Sequence, residues 1–136
     1  MPSPTTSRHS ALALLSAVAA LLLGLLVAVE AVAHHPGSHA RRIAAGQVEL
    51  DAAVSASDAC TRIERIEPGT PHGVQAPAGA APMVVRLARP EGVCATVVSA
   101  LRETRAVGVP AGVTVLLLYV VGPDGRVAAS ERVPIR

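Results

Sequence analysis

Ala11 to Val29 is an uncharged, mainly apolar run, with Arg8 before it and Glu30 after it. Ala31-Val32-Ala33 follows, then the polar His34-His35-Pro36-Gly37. A basic start, an apolar middle and an Ala-x-Ala site are the layout of a secretory signal. The run is longer than a usual signal core and close to the length that spans a bilayer, so an uncut signal anchor is the alternative. Arg41 and Arg42 would then lie on the exported side, with only Arg8 inside, which gives an anchor little positive-inside help. Residues 1–33 are therefore predicted as a signal peptide or signal anchor, cut after Ala33. The remainder is expected to be periplasmic or secreted, or, if uncut, inner-membrane anchored with the domain outside.

Beyond the leader the pattern changes twice. Residues 34–46 carry His, Pro, Gly, Ser and Arg with no apolar period, and are predicted as a flexible His/Arg arm. From Gln47 the period becomes two: Val48, Leu50, Ala52 and Val54 alternate with Gln47, Glu49, Asp51 and Ser55, as in a half-buried strand. Cys60–Ile66 predicts a weaker strand. Prolines and glycines from Pro68 through Pro82 predict a long loop, because proline removes ladder donors. Met83–Ala88 predicts a short strand with Met83, Val85 and Leu87 on one side.

Residues 93–101 are ambiguous. Cys94–Val98 is β-branched, yet Val93, Val97 and Leu101 also fall at helical spacing. Val113–Val121 is a clear strand, and Gly122-Pro123-Asp124-Gly125 is a hairpin turn leading into a returning strand at Val127–Pro134. Short strands with Pro/Gly punctuation predict a mainly β domain over residues 47–136. The expected form is a small antiparallel immunoglobulin-like β-sandwich of six or seven strands. The alternative is α+β, with a helix near 93–106.

The Val113–Val121 strand is apolar on both faces. Val113, Val115, Leu117, Tyr119 and Val121 line one, and Leu116, Leu118 and Val120 line the other. An antiparallel sheet usually keeps one face polar, so each side needs a cover. Leu116, Leu118 and Val120 are the candidate partner-binding residues, docking on another protein or a second copy.

Composition narrows the functions. Arg supplies all 12 basic residues against 10 acidic ones, for a net charge of +2, with no Lys. That balance builds no nucleic-acid footprint. Tyr119 is the sole aromatic residue, too little for a sugar- or base-stacking platform. The dominance of Ala, Val, Arg, Gly and Pro fits a GC-rich bacterial genome. Cys60 and Cys94 allow one intramolecular pairing, and in an oxidising compartment they are expected to form a structural disulfide.

Candidate chemistry is sparse. His34, His35 and His39 follow the predicted cut, and with a free amine on His34 they would suit copper or zinc in nitrogen-rich geometry. His72 and Met83 would add a second pair only if the fold joined them. Gly-x-Ser-x-Gly, His-Glu-x-x-His, a phosphate loop and Cys-x-x-Cys are all lacking, so no residue takes a catalytic role. The charged run Arg102-Glu103-Thr104-Arg105 is expected as a solvated loop or a recognition patch. The sequence thus predicts a non-catalytic exported module, without cofactor, that supports a periplasmic protein or assembly in the bacterial envelope or associates with itself. Membrane contact would come only through an uncut leader. The alternative is a small periplasmic metal-binding protein using the histidine arm.

Overall fold

The computed structural model describes residues 37–136, and every helix or strand among them is a strand. In chain order these are β1 (His39–Ala44), β2 (Gln47–Ala56), β3 (Arg62–Pro68), β4 (Ala80–Ala88), β5 (Ser99–Gly108), β6 (Val115–Val121) and β7 (Val127–Pro134). They make two sheets, ordered β1-β2-β5 and β3-β4-β6-β7. The predicted leader (residues 1–33), His34 and His35 lie outside the described residues.

One core joins the sheets. Val48, Leu50, Ala52 and Val54 of β2 face it from one side. Met83, Val85 and Leu87 of β4, with Leu116, Leu118 and Val120 of β6, face it from the other. Ile66 and Val133 extend it towards the outer strands. The side chains are small aliphatics plus Met83, so the period of two read from β2 and β4 is the packing pattern itself.

Four expectations need correction. First, residues 39–44 are strand β1, not arm. As an outer strand it buries only Ala40, so its sequence carries no alternation. Second, Pro82 lies inside β4. Its carbonyl accepts from Gly69 N–H at 3.0 Å. This is the end of the β3 pairing, where no donor is required of residue 82. Third, residues 93–98 are neither helix nor strand; the strand begins at Ser99 and runs through the charged residues to Gly108. The helix near 93–106 is therefore not formed. Fourth, pairing is not antiparallel throughout: β4 and β6 are parallel. A single strand, β5, intervenes between them and lies in the other sheet. The chain reverses twice, so β6 returns to β4 in the same direction.

Both seams between the sheets are fastened. On the β3/β5 side, Cys60 and Cys94 form a disulfide with Cα atoms 5.8 Å apart. Ala59 N–H donates to Ala95 O beside it. On the β7/β1 side, Arg42 N–H donates to Arg136 O at 2.8 Å, and Arg136 N–H donates to Ala40 O at 3.0 Å. Ser38 adds a polar strap. Its N–H donates to Glu131 Oε1 at 3.1 Å and its hydroxyl to Oε2 at 2.7 Å. Ala53 N–H in turn donates to the Ser38 hydroxyl. Among the described residues no buried side-chain N or O lacks a hydrogen-bond partner.

Candidate functional site

The two faces of β6 have opposite roles. Leu116, Leu118 and Val120, expected to dock a partner, are 0%, 1% and 8% exposed and belong to the shared core. That assignment is corrected: the face is occupied by β2 of the opposite sheet. The face that points away from the core carries Val115, Leu117, Tyr119 and Val121 instead. Parallel register sets these beside β4, as Ala80↔Val115, Pro82↔Leu117, Val84↔Tyr119 and Arg86↔Val121.

The result is an apolar band on the outer surface of the second sheet. Val84, Tyr119 and Val121 are buried within it, whereas Ala80, Pro82, Val115 and Leu117 are half-buried. The accessible part is thus two adjacent cross-strand pairs at one end. The other end is charged. Arg86 Nε donates to Glu67 Oε1 at 2.6 Å, and Arg65 Nε lies 3.4 Å from Oε2. The Arg86 hydrogen bond, helped by the charges of Arg65 and Arg86, holds the Glu67 carboxyl below its ordinary range despite some desolvation. A cleft of about 180 Å³ closes this end, lined in part by Arg65, Arg86, Val121 and Pro123.

The first sheet has a polar outer surface. Arg41 pairs with Glu49 at 2.8 Å, and Arg102 pairs with Asp51. His39 lines a shallow cleft of about 320 Å³ there with Arg41, Glu49, Asp51 and Arg136. Met83 is in the core and His72 is exposed in the β3–β4 connection, so these two do not share a site.

Among the described residues, the one group of three ligand-type side chains is Asp58, Cys60 and Cys94. Its sulfurs are bonded to each other, which removes them as thiolate ligands. Asp58 has a structural occupation. Its Oδ1 accepts from Cys60 N–H, from Thr61 N–H at 2.7 Å and from the Thr61 hydroxyl. Desolvation would raise its pKa. The Thr61 and Cys60 hydrogen bonds, with Arg89 nearby, outweigh that and lower it. The Asp-Ala-Cys-Thr spacing is an Asx-type turn, a signal that points to this role and was missed in the sequence.

The sequence showed the Val115, Leu117, Tyr119 and Val121 face as apolar but not that β4 extends it or that it is the outer one, because both depend on a parallel pairing that no local pattern announces. No model of a known protein family matches the chain, no curated protein matches it, and no solved structure matches it.

Proposed function

We propose that the chain is an exported, non-catalytic binding or accessory module of the bacterial cell envelope, supporting a periplasmic protein or assembly. Contact is made through the outer face of β4 and β6. The observation that carries this reading is the accessible apolar group Ala80, Pro82, Val115 and Leu117 on the face opposite the core. Aliphatic groups there offer dispersion and desolvation but no nucleophile, acid or metal ligand, which suits association rather than catalysis. The disulfide suits an oxidising compartment, in keeping with the signal-like leader. In this reading the two-sheet architecture is of the broad immunoglobulin-like kind, with the parallel β4–β6 pair as its own departure.

Site-specific photo-crosslinking in cells tests the reading. A photoreactive residue at Leu117 should give one discrete adduct containing a second envelope protein, and the same residue at Asp51 should not. No adduct from Leu117, or the same adducts from both positions, would overturn it. Fractionation of the same cells checks export separately.

A further inference from the structure

We propose that β5 is the seam of a homodimer, in which two copies pair their β5 edges antiparallel about a two-fold axis at Thr104. This joins two three-stranded sheets into one, and it is independent of the outer face of β4 and β6.

The first observation is that β5 is an edge left open. It ends the sheet order β1-β2-β5. Sheet edges are normally blunted by bulges, proline, a covering segment or charged side chains, and only the last leaves the backbone groups able to pair with a strand of complementary charge. Among the described strands, β1 has a bulge and is covered by residues 135–136. β3 has a bulge and ends at Pro68, and β7 pairs across a bulge and ends at Pro134. β5 has no bulge, proline or cover; its one edge device is charge, Arg102 with the core-side pair Glu103 and Arg105. Its register with β2 is unbroken from Gln47↔Gly108 to Ala56↔Ser99.

The second observation is which backbone groups are free. Val109 N–H donates to Gly46 O, continuing that register by one pair. Hydrogen-bonded pairs alternate along an antiparallel ladder. Odd-numbered residues of β5 therefore spend their N–H and C=O on β2. Ala100, Arg102, Thr104, Ala106 and Gly108 direct theirs outward. A second strand must match these even positions to even positions.

The third observation names the occupant. With the axis at Thr104, Thr104 meets its own copy and Arg102 meets Ala106. The odd residues then face one another as non-hydrogen-bonded pairs, where side chains approach most closely. Leu101 meets Val107, and Glu103 meets Arg105, each twice by symmetry. The strand reads apolar–acid–base–apolar on this face, which is complementary to its own reverse. Sliding the pairing to centre on Glu103 sets Glu103 against Glu103; centring on Arg105 sets Arg105 against Arg105. Like charges directly opposite are destabilising, so of these three registers the one centred on Thr104 is favoured, and it alone also sets Glu103 against Arg105. Within one copy Glu103 and Arg105 already pair at 2.7 Å and remain partly exposed, so both charges are available at the edge. An isologous two-fold contact of this kind is the commonest form of oligomer.

Cysteine scanning of the full chain in detergent micelles tests the register. Thr104→Cys should give a disulfide-linked dimer under mild oxidation, since Cα atoms of such a pair lie about 5.5 Å apart. Arg102→Cys and Ala106→Cys should each fail alone, because two copies of either would sit roughly 13 Å apart along the strand. A mixture of the two should link. A monomeric Thr104→Cys protein, or equal linking by all three single variants, would overturn the proposal. Charge reversal supplies a second readout by sedimentation, with folding checked by circular dichroism. Glu103→Arg and Arg105→Glu should each weaken dimerisation about tenfold or more, and the double reversal should restore it. Single reversals that leave dimerisation unchanged would overturn the charge-selected register.

Discussion

Replacing both Cys60 and Cys94 by Ala separates the covalent seam from the rest of the fold. The cysteines are 34 positions apart and close a loop that contains β3, the Pro/Gly connection and β4. Loop-closure entropy for a ring of this size corresponds to about 4 kcal/mol removed from the unfolded state. Domains of this length have about 5–15 kcal/mol in total, so the loss takes a large share. In thermal terms it is roughly 15–30 °C. The Ala59–Ala95 hydrogen bond and the core remain, so the double variant should still fold at low temperature. Urea denaturation of the chain, with and without reductant, measures the loss directly. The slope against urea should also rise, because an uncrosslinked unfolded chain exposes more surface. A midpoint that moves by less than the equivalent of about 1 kcal/mol would refute this reasoning. It would mean that the seam is held by packing and backbone bonds alone.

Three further outcomes follow from the geometry. Leu116→Ala or Leu118→Ala should cost about 2–5 kcal/mol in urea denaturation, and Leu117→Ala less than about 1, since only the first two face the core. Asp58 is held below its ordinary pKa, so its contribution is present above the unfolded value and lost as pH falls through the lower folded one. Stability measured against pH should therefore decline below about pH 4, and Asp58→Asn should flatten that decline. Glu131→Ala removes the two carboxylate acceptors of Ser38, leaving its hydroxyl only Ala53 O, and should cost about 1–2 kcal/mol, with faster hydrogen exchange at the Ser38 amide.

The parts of the fold that the sequence disclosed are those where one local rule decided the outcome. In β2 every second residue is buried, so alternation sufficed. At the β6–β7 hairpin, Gly125 N–H donates to Gly122 O at 2.9 Å and Gly125 takes φ +78°, the conformation its sequence position implied. Two cysteines left one pairing. The misread parts are at edges or depend on distant partners. β1 shows one buried side chain and two exposed arginines, a pattern indistinguishable from a polar arm. β5 presents Glu103 and Arg105 on the same side as Leu101 and Val107, because the core is thin at its margin, and the charges concealed the strand. The faces of β6 are equally apolar, so which one is core depends on β4, and that pairing is parallel and non-local. The candidate docking residues were reversed for this reason.

The absence of large aromatic side chains from the core between the sheets ties these observations together. Leu50, Met83, Leu116 and Leu118 are the largest fully buried side chains, and the rest are smaller. Each contributes about 1.5–3 kcal/mol of burial, so a thin core leaves the sheet margins in need of fasteners. The disulfide holds one margin, and Ser38–Glu131 with the Arg136 backbone bonds holds the other. These fasteners differ in what they position. Cys94 fixes the segment that leads into β5, whose first half supplies Ala100 and Arg102 to the proposed dimer ladder. Glu131 fixes β7 against β1, on the far side of the same sheet. Reduction of the disulfide should therefore weaken both stability and β5 pairing, read as a raised dimer dissociation constant in sedimentation under conditions where the monomer stays folded. Glu131→Ala should lower stability and leave that constant unchanged. Equal effects of the two perturbations on dimerisation would show that β5 is positioned by β2 alone.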